Sequence, residues 1–155
     1  MRNKKVIGRT NIGAFVLFSL VLIRCHPYSE ITRINSPEAP KAIGPYSQAV
    51  KTGNFIFCSG QLGISPKTDE LVGPDIESQT RQAILNLKTI LESGGSDLSQ
   101  VTKVTVFLSD MENYGTVNKI YGEYFDHVRP ARSTVQIAKL PRNGLIEIEC
   151  IAVAR

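Results

Sequence analysis

Tryptophan is absent from this 155-residue chain, histidine occurs only twice, and its three cysteines form no CxxC pair. Each shortage excludes a chemistry. One histidine, His26, lies in the N-terminal tail and the other, His127, stands alone, so no cluster with metal-ligand spacing can be assembled. The same scarcity removes a Ser-His-acid triad, because Ser59 would have only His127 as its base. Neither GxGxxG nor GxxxxGK occurs, so Gly60 belongs to no phosphate loop. Cys25 sits in the tail, and Cys58 and Cys150 fall in apolar strand-like runs, which reads as buried free thiols.

Charge is unevenly placed. Residues 1–33 carry six basic residues and one acid, whereas residues 34–155 carry twelve basic and thirteen acidic residues. The overall +4 therefore belongs to the tail, and the near-neutral remainder argues against a nucleic-acid partner. Within the tail a basic start leads into twelve uncharged residues, 12–23, then Arg24-Cys25. That is short for a bilayer span and right for the apolar stretch of an export signal. Arg24 stands where a lipoprotein box requires a small residue. Residues 1–33 thus read as a signal-like or membrane-anchor segment plus linker, which implies an exported, periplasmic or membrane-associated product. The alternatives are an organelle transit peptide and a start codon placed upstream of a cytoplasmic protein.

Residues 34–155 read as one domain. Residues 26–40 are polar and proline-rich, hence linker. Gln48–Lys51 and Phe55–Gly60 flank a Thr-Gly-Asn turn, a hairpin signal. Asp75 caps a helix whose apolar positions run from Ile76 to Leu91 at helical spacing, ended by Gly94-Gly95. A β-branched strand over Val101–Leu108, a helix with Tyr114, Val117, Tyr121 and Phe125 on one face, and strands over Arg132–Ile137 and Leu145–Val153 complete the order ββαβαββ. This is an α+β sheet with two helices on one face. Both faces of the last strand are partly apolar, since Ile151 and Val153 alternate with Ile148 and Cys150, so a second subunit is expected to cover the open one.

The chemistry concentrates in two places. Arg132, between small residues after Pro130, holds a permanently charged planar group at a strand mouth, either in a structural salt bridge or as a carboxylate anchor. Glu147 and Glu149 point to one face of the last strand, roughly 7 Å apart. That spacing overlaps the carboxyl pair of inverting glycosidases, but no aromatic sugar platform is evident. A single carboxylate positioning a water near Arg132 fits better. Tyr46 follows the rigid Gly44-Pro45 turn, Ser59-Gly60 ends a strand with room for close approach, and Asn118 lies on a helix face.

Ala42-Ile-Gly-Pro-Tyr-Ser-Gln, Phe57-Cys-Ser-Gly-Gln-Leu, Thr116-Val-Asn-Lys-Ile-Tyr, Pro130-Ala-Arg-Ser-Thr-Val and Ile146-Glu-Ile-Glu-Cys-Ile-Ala together resemble the RidA (YjgF-like) reactive-intermediate deaminases, over about residues 34–155. The resemblance implies a chorismate-mutase-like fold, a homotrimer with active sites in the clefts between subunits, and cofactor-independent, metal-free hydrolysis of 2-imino acids such as 2-iminobutanoate and 2-iminopropanoate to 2-oxo acids and ammonia. It implies that Arg132 binds the substrate carboxylate and that Glu147 activates or orients water. Tyr46, Ser59, Gly60 and Asn118 would line the pocket, with the backbone around Thr134 completing it. Many relatives have Cys where this chain has Thr134, so thiol redox switching there is lost. The alternatives are a non-catalytic regulator that binds small carboxylates in the same cleft, and, against the charge balance, an RNA-cleaving or translation-inhibiting protein.

Overall fold

The structure, a computed structural model, describes residues 30–155; the tail with its apolar run 12–23 lies outside the described residues. Six strands, β1 (Ile31–Ile34), β2 (Ala49–Thr52), β3 (Phe55–Leu62), β4 (Val101–Leu108), β5 (Ala131–Gln136) and β6 (Ile146–Val153), form one mixed sheet in the order β1-β2-β3-β6-β4-β5. Two helices, α1 (Ile76–Ser93) and α2 (Tyr114–Phe125), join β3 to β4 and β4 to β5. Among the described residues no helix is long and apolar enough to cross a membrane.

The expected α+β architecture is present, with one correction. Ile31–Ile34, read as linker because of the prolines that follow, is an edge strand antiparallel to β2. Three of its four residues are β-branched, and Ile34 alone is buried. The element order is therefore βββαβαββ.

Both helices lie on one face for a topological reason. β3 and β4 are each antiparallel to β6 and so parallel to one another, while β4 and β5 pair in parallel. Each helix is thus a crossover between parallel strands, and both move in the same direction across the sheet. Right-handed crossovers of the same direction must lie on the same side. Ile84, Leu87, Ile90 and Leu91 of α1 and Val117, Tyr121 and Phe125 of α2 pack there against Ile56, Val104, Val106, Ile148 and Ala152. Asp75 caps α1 as expected, its Oδ1 accepting from the Ser78 amide at 2.7 Å.

Strand pairing fixes which side chains share a face. Cys58, Cys150, Val104 and Arg132 form one cross-strand row on the helix side. Leu62, Glu147, Phe107 and Val135 form another on the open side. The open face carries Phe55 and Phe57, 48% and 44% exposed, with Ile151 and Val153 beside them. Cys58 and Cys150 are buried free thiols, as expected.

Candidate active site

The expected site residues separate into two groups on opposite faces of the sheet. From the residues alone the sequence left open how a carboxylate comes to lie near Arg132, and the family resemblance implied a site in a cleft between subunits.

The first group surrounds Glu147. Between Cys58 and Gln61 the register of β3 against β6 slips by one residue, a bulge at Ser59-Gly60. There the missing side chain of Gly60 lets the Glu147 carboxylate lie over the backbone; a Cβ at position 60 would overlap Oε1 and stand 2.6 Å from Cδ. Tyr46, Gly60 and Glu147 line one cavity together with Ile43, Leu62 and Pro141. Ser59 stands behind it, its Oγ donating to the Ser47 carbonyl at 2.7 Å, so the hydroxyl ties strand to turn and serves as no nucleophile. Among the described residues no ion pair engages Glu147. Burial, and then the charge of Glu149 on the same face, raises its pKa above the usual 4.5. A half-buried carboxylate in this state is a proton acceptor poised nearer neutrality than an ordinary glutamate.

The rim of this cavity is held by polar ties. The buried Gln48 amide accepts from the Ser36 amide at 2.5 Å and donates to the carbonyls of Ser36 at 3.1 Å and Pro40 at 2.7 Å. Arg142, reaching from the loop before β6, donates to the Asp69 carboxylate at 2.8 Å and to its carbonyl. Asp69, Arg142 and Asn143 all have positive φ, so both loops turn sharply where they meet.

The second group surrounds Arg132 on β5. Its Nη2 donates to Asn118 Oδ1 at 2.8 Å and to the Tyr114 hydroxyl at 3.2 Å. The guanidinium carbon lies 4.5 Å from the centre of the Tyr121 ring and 5.8 Å from that of Tyr114. Tyr114, Asn118 and Tyr121 recur at i, i+4 and i+7 on α2, one turn apart along the face that meets β5. Burial pushes the Tyr121 phenol up to about 12, so its ring stays neutral beneath the cation. Thr134 shares this face one row on, opposite Val106. No carboxylate pairs with Arg132 among the described residues.

The sequence reading missed Tyr114 and Tyr121 as members of this group. Helical spacing assigned both to packing; the signal that distinguishes them is Asn118 between them, a polar residue on the same stripe. His127 lies exposed beyond the end of α2. Among the described residues no group of three or more His, Cys, Asp or Glu side chains could hold a metal ion.

A family model described as Endoribonuclease L-PSP matches residues 36–154. The chain belongs to this family, the RidA/YjgF family. A RutC family protein of Pyrococcus horikoshii is 53% identical over 119 residues, covering 77% of this chain and 94% of that one. The mouse protein named 2-iminobutanoate/2-iminopropanoate deaminase is 48% identical over 120 residues, covering 77% and 89%. Among solved RidA/YjgF-family structures, one described as a putative endoribonuclease from Thermotoga maritima has a TM-score of 0.78 and 53% identity, covering 80% of this chain and 98% of that one. The matched region begins after β1, so the tail is outside the family match.

Proposed function

We propose that the protein is a cofactor-independent deaminase of 2-imino acids such as 2-iminobutanoate and 2-iminopropanoate, acting as a homotrimer whose active sites join the Arg132 group of one subunit to the Glu147 group of the next. The observation that carries this reading is the separation of the two groups by the sheet. Among the described residues Arg132 holds a cationic fork with no anion and Glu147 a carboxylate with no cation, and the sheet between them keeps a single chain from bringing both to one substrate. A neighbouring subunit can. The exposed Phe55 and Phe57, on the same open face as Glu147 and further along β6 beside Val153 and Ile151, give such a contact its apolar area. Relatives named as deaminases at close to half identity favour the chemistry.

The reaction asks little of the protein. An iminium carbon is already electrophilic, so no covalent nucleophile is needed. Arg132 binds the substrate carboxylate and fixes the imine carbon. Glu147 takes a proton from a water as its oxygen bonds to that carbon, and the C=N π pair moves to nitrogen. Glu147 returns that proton to the nitrogen. The C–N bond then breaks as the ionised Glu147 takes the proton of the new hydroxyl and the oxygen's electron pair forms the C=O bond, so a 2-oxo acid remains and the departing ammonia carries the proton off as ammonium. Tyr46 and the Gly60 backbone frame the water side, and Asn118 holds the guanidinium.

A purely binding role in regulation has no use for Glu147, which would repel the carboxylate it is meant to hold. RNA cleavage is disfavoured by the near-neutral domain. The test is ammonia release, or competition with semicarbazide, on freshly generated 2-iminobutanoate. Arg132→Ala is expected to abolish turnover while fold and oligomeric state persist; near-normal turnover by that variant would refute the assignment.

A further inference from the structure

Arg132 makes its two side-chain hydrogen bonds through one nitrogen, and that nitrogen is the one a carboxylate needs. A guanidinium grips a carboxylate through two parallel N–H bonds along either of two edges, Nη1–Nη2 or Nε–Nη2. Both edges run through Nη2. Here Nη2 already donates to Asn118 Oδ1 at 2.8 Å and to the Tyr114 hydroxyl at 3.2 Å, and it has only two hydrogens. A bidentate substrate must therefore displace one of these acceptors. The longer bond is the one to Tyr114, which sits in the first turn of α2 with 42% of its surface exposed.

The phenol has a second capacity. Its oxygen accepts from Arg132, and among the described residues its own O–H bonds to no acceptor. Resting on the reading of Arg132 as the carboxylate anchor, we infer that Tyr114 is a further substrate-binding residue: its hydroxyl takes the place of a carboxylate oxygen on Nη2, yields Nη2 when substrate arrives, and then donates a hydrogen bond to the same carboxylate. Substrate is thereby held by a charged fork and a neutral donor. No bond other than hydrogen bonds changes, and the phenol keeps its proton. The arrangement selects a carboxylate, whose two oxygens only accept, over an amide, whose NH2 would face two donors.

Calorimetric binding of 2-oxobutanoate, the stable product, to the full-length wild type, Tyr114→Phe and Arg132→Ala tests this without turnover. Tyr114→Phe is expected to weaken binding about fivefold or more, and to raise KM for 2-iminobutanoate in proportion while kcat stays within about twofold, because the water and Glu147 are untouched. If Arg132→Ala loses binding but Tyr114→Phe binds within about twofold of wild type, the role given to Tyr114 is wrong and the Arg132 assignment stands. If Arg132→Ala binds 2-oxobutanoate as wild type does, the anchor itself is misassigned and the inference falls with it.

Discussion

Gly60 and Glu147 share one volume: the carboxylate lies where a side chain at position 60 would be, with Cδ only 2.6 Å from the place of a Cβ. The glycine is thus part of the site by absence. Gly60→Ala must push Glu147 off the bulge. The expected outcome is a folded protein of unchanged oligomeric state whose kcat falls about 100-fold or more, measured by ammonia release. Unchanged kcat would mean that Glu147 is not placed by this contact.

Glu149 raises the pKa of Glu147 from two residues away, after burial. Glu149→Gln should therefore lower it. Glu147 acts as a base only when ionised, so activity is lost as pH falls through its pKa. The acidic limb of the kcat profile is expected to move to lower pH in Glu149→Gln, with neutral-pH activity kept.

The same elevation has a stability consequence of opposite sense. A carboxyl whose pKa is higher folded than unfolded binds its proton more tightly in the native state, so it destabilises the fold increasingly as pH rises through the window above 4.5. Glu147→Gln should abolish turnover and yet melt no lower than wild type at neutral pH, and relatively higher at pH 7 than at pH 4. A lower melting temperature at pH 7 would contradict the origin given to the shift.

Gln48 holds Ser36 and Pro40 through both ends of a buried amide, which carries the chain from β1 to the cavity rim. Gln48→Ala leaves backbone groups without partners and is expected to cost about 3 kcal/mol of stability, read by urea denaturation. It should also raise KM, because Ile43 and Tyr46 lie on the segment it secures. A loss below about 1 kcal/mol would show that water replaces the amide.

Much of the fold was legible locally. Helical spacing and the Asp75 cap mark α1, and alternation along β6 correctly puts Glu147 and Glu149 on one face. β1 escaped because only Ile34 of its four residues is buried, leaving no alternation to read between prolines and charges. Which faces of the sheet Arg132 and Glu147 occupy was not legible from the residues alone, for a deeper reason. Parity within one strand follows from sequence, but parity between β5 and β6 depends on how each registers against β4, which lies far away in the chain. Tyr114 and Tyr121 were read as packing because a helix face looks alike whether it meets a core or supports a cation.

The central claim is that one active site draws Arg132 and Glu147 from different subunits, and mixed oligomers test it most directly. Arg132→Ala and Glu147→Gln are each expected to be inactive alone. Unfolded together in equal amounts and refolded, they should regain roughly a quarter of wild-type turnover, the fraction of interfaces at which an intact Arg132 meets an intact Glu147 in a closed ring. Refolded mixtures that assemble normally and remain as inactive as the separate variants would contradict it.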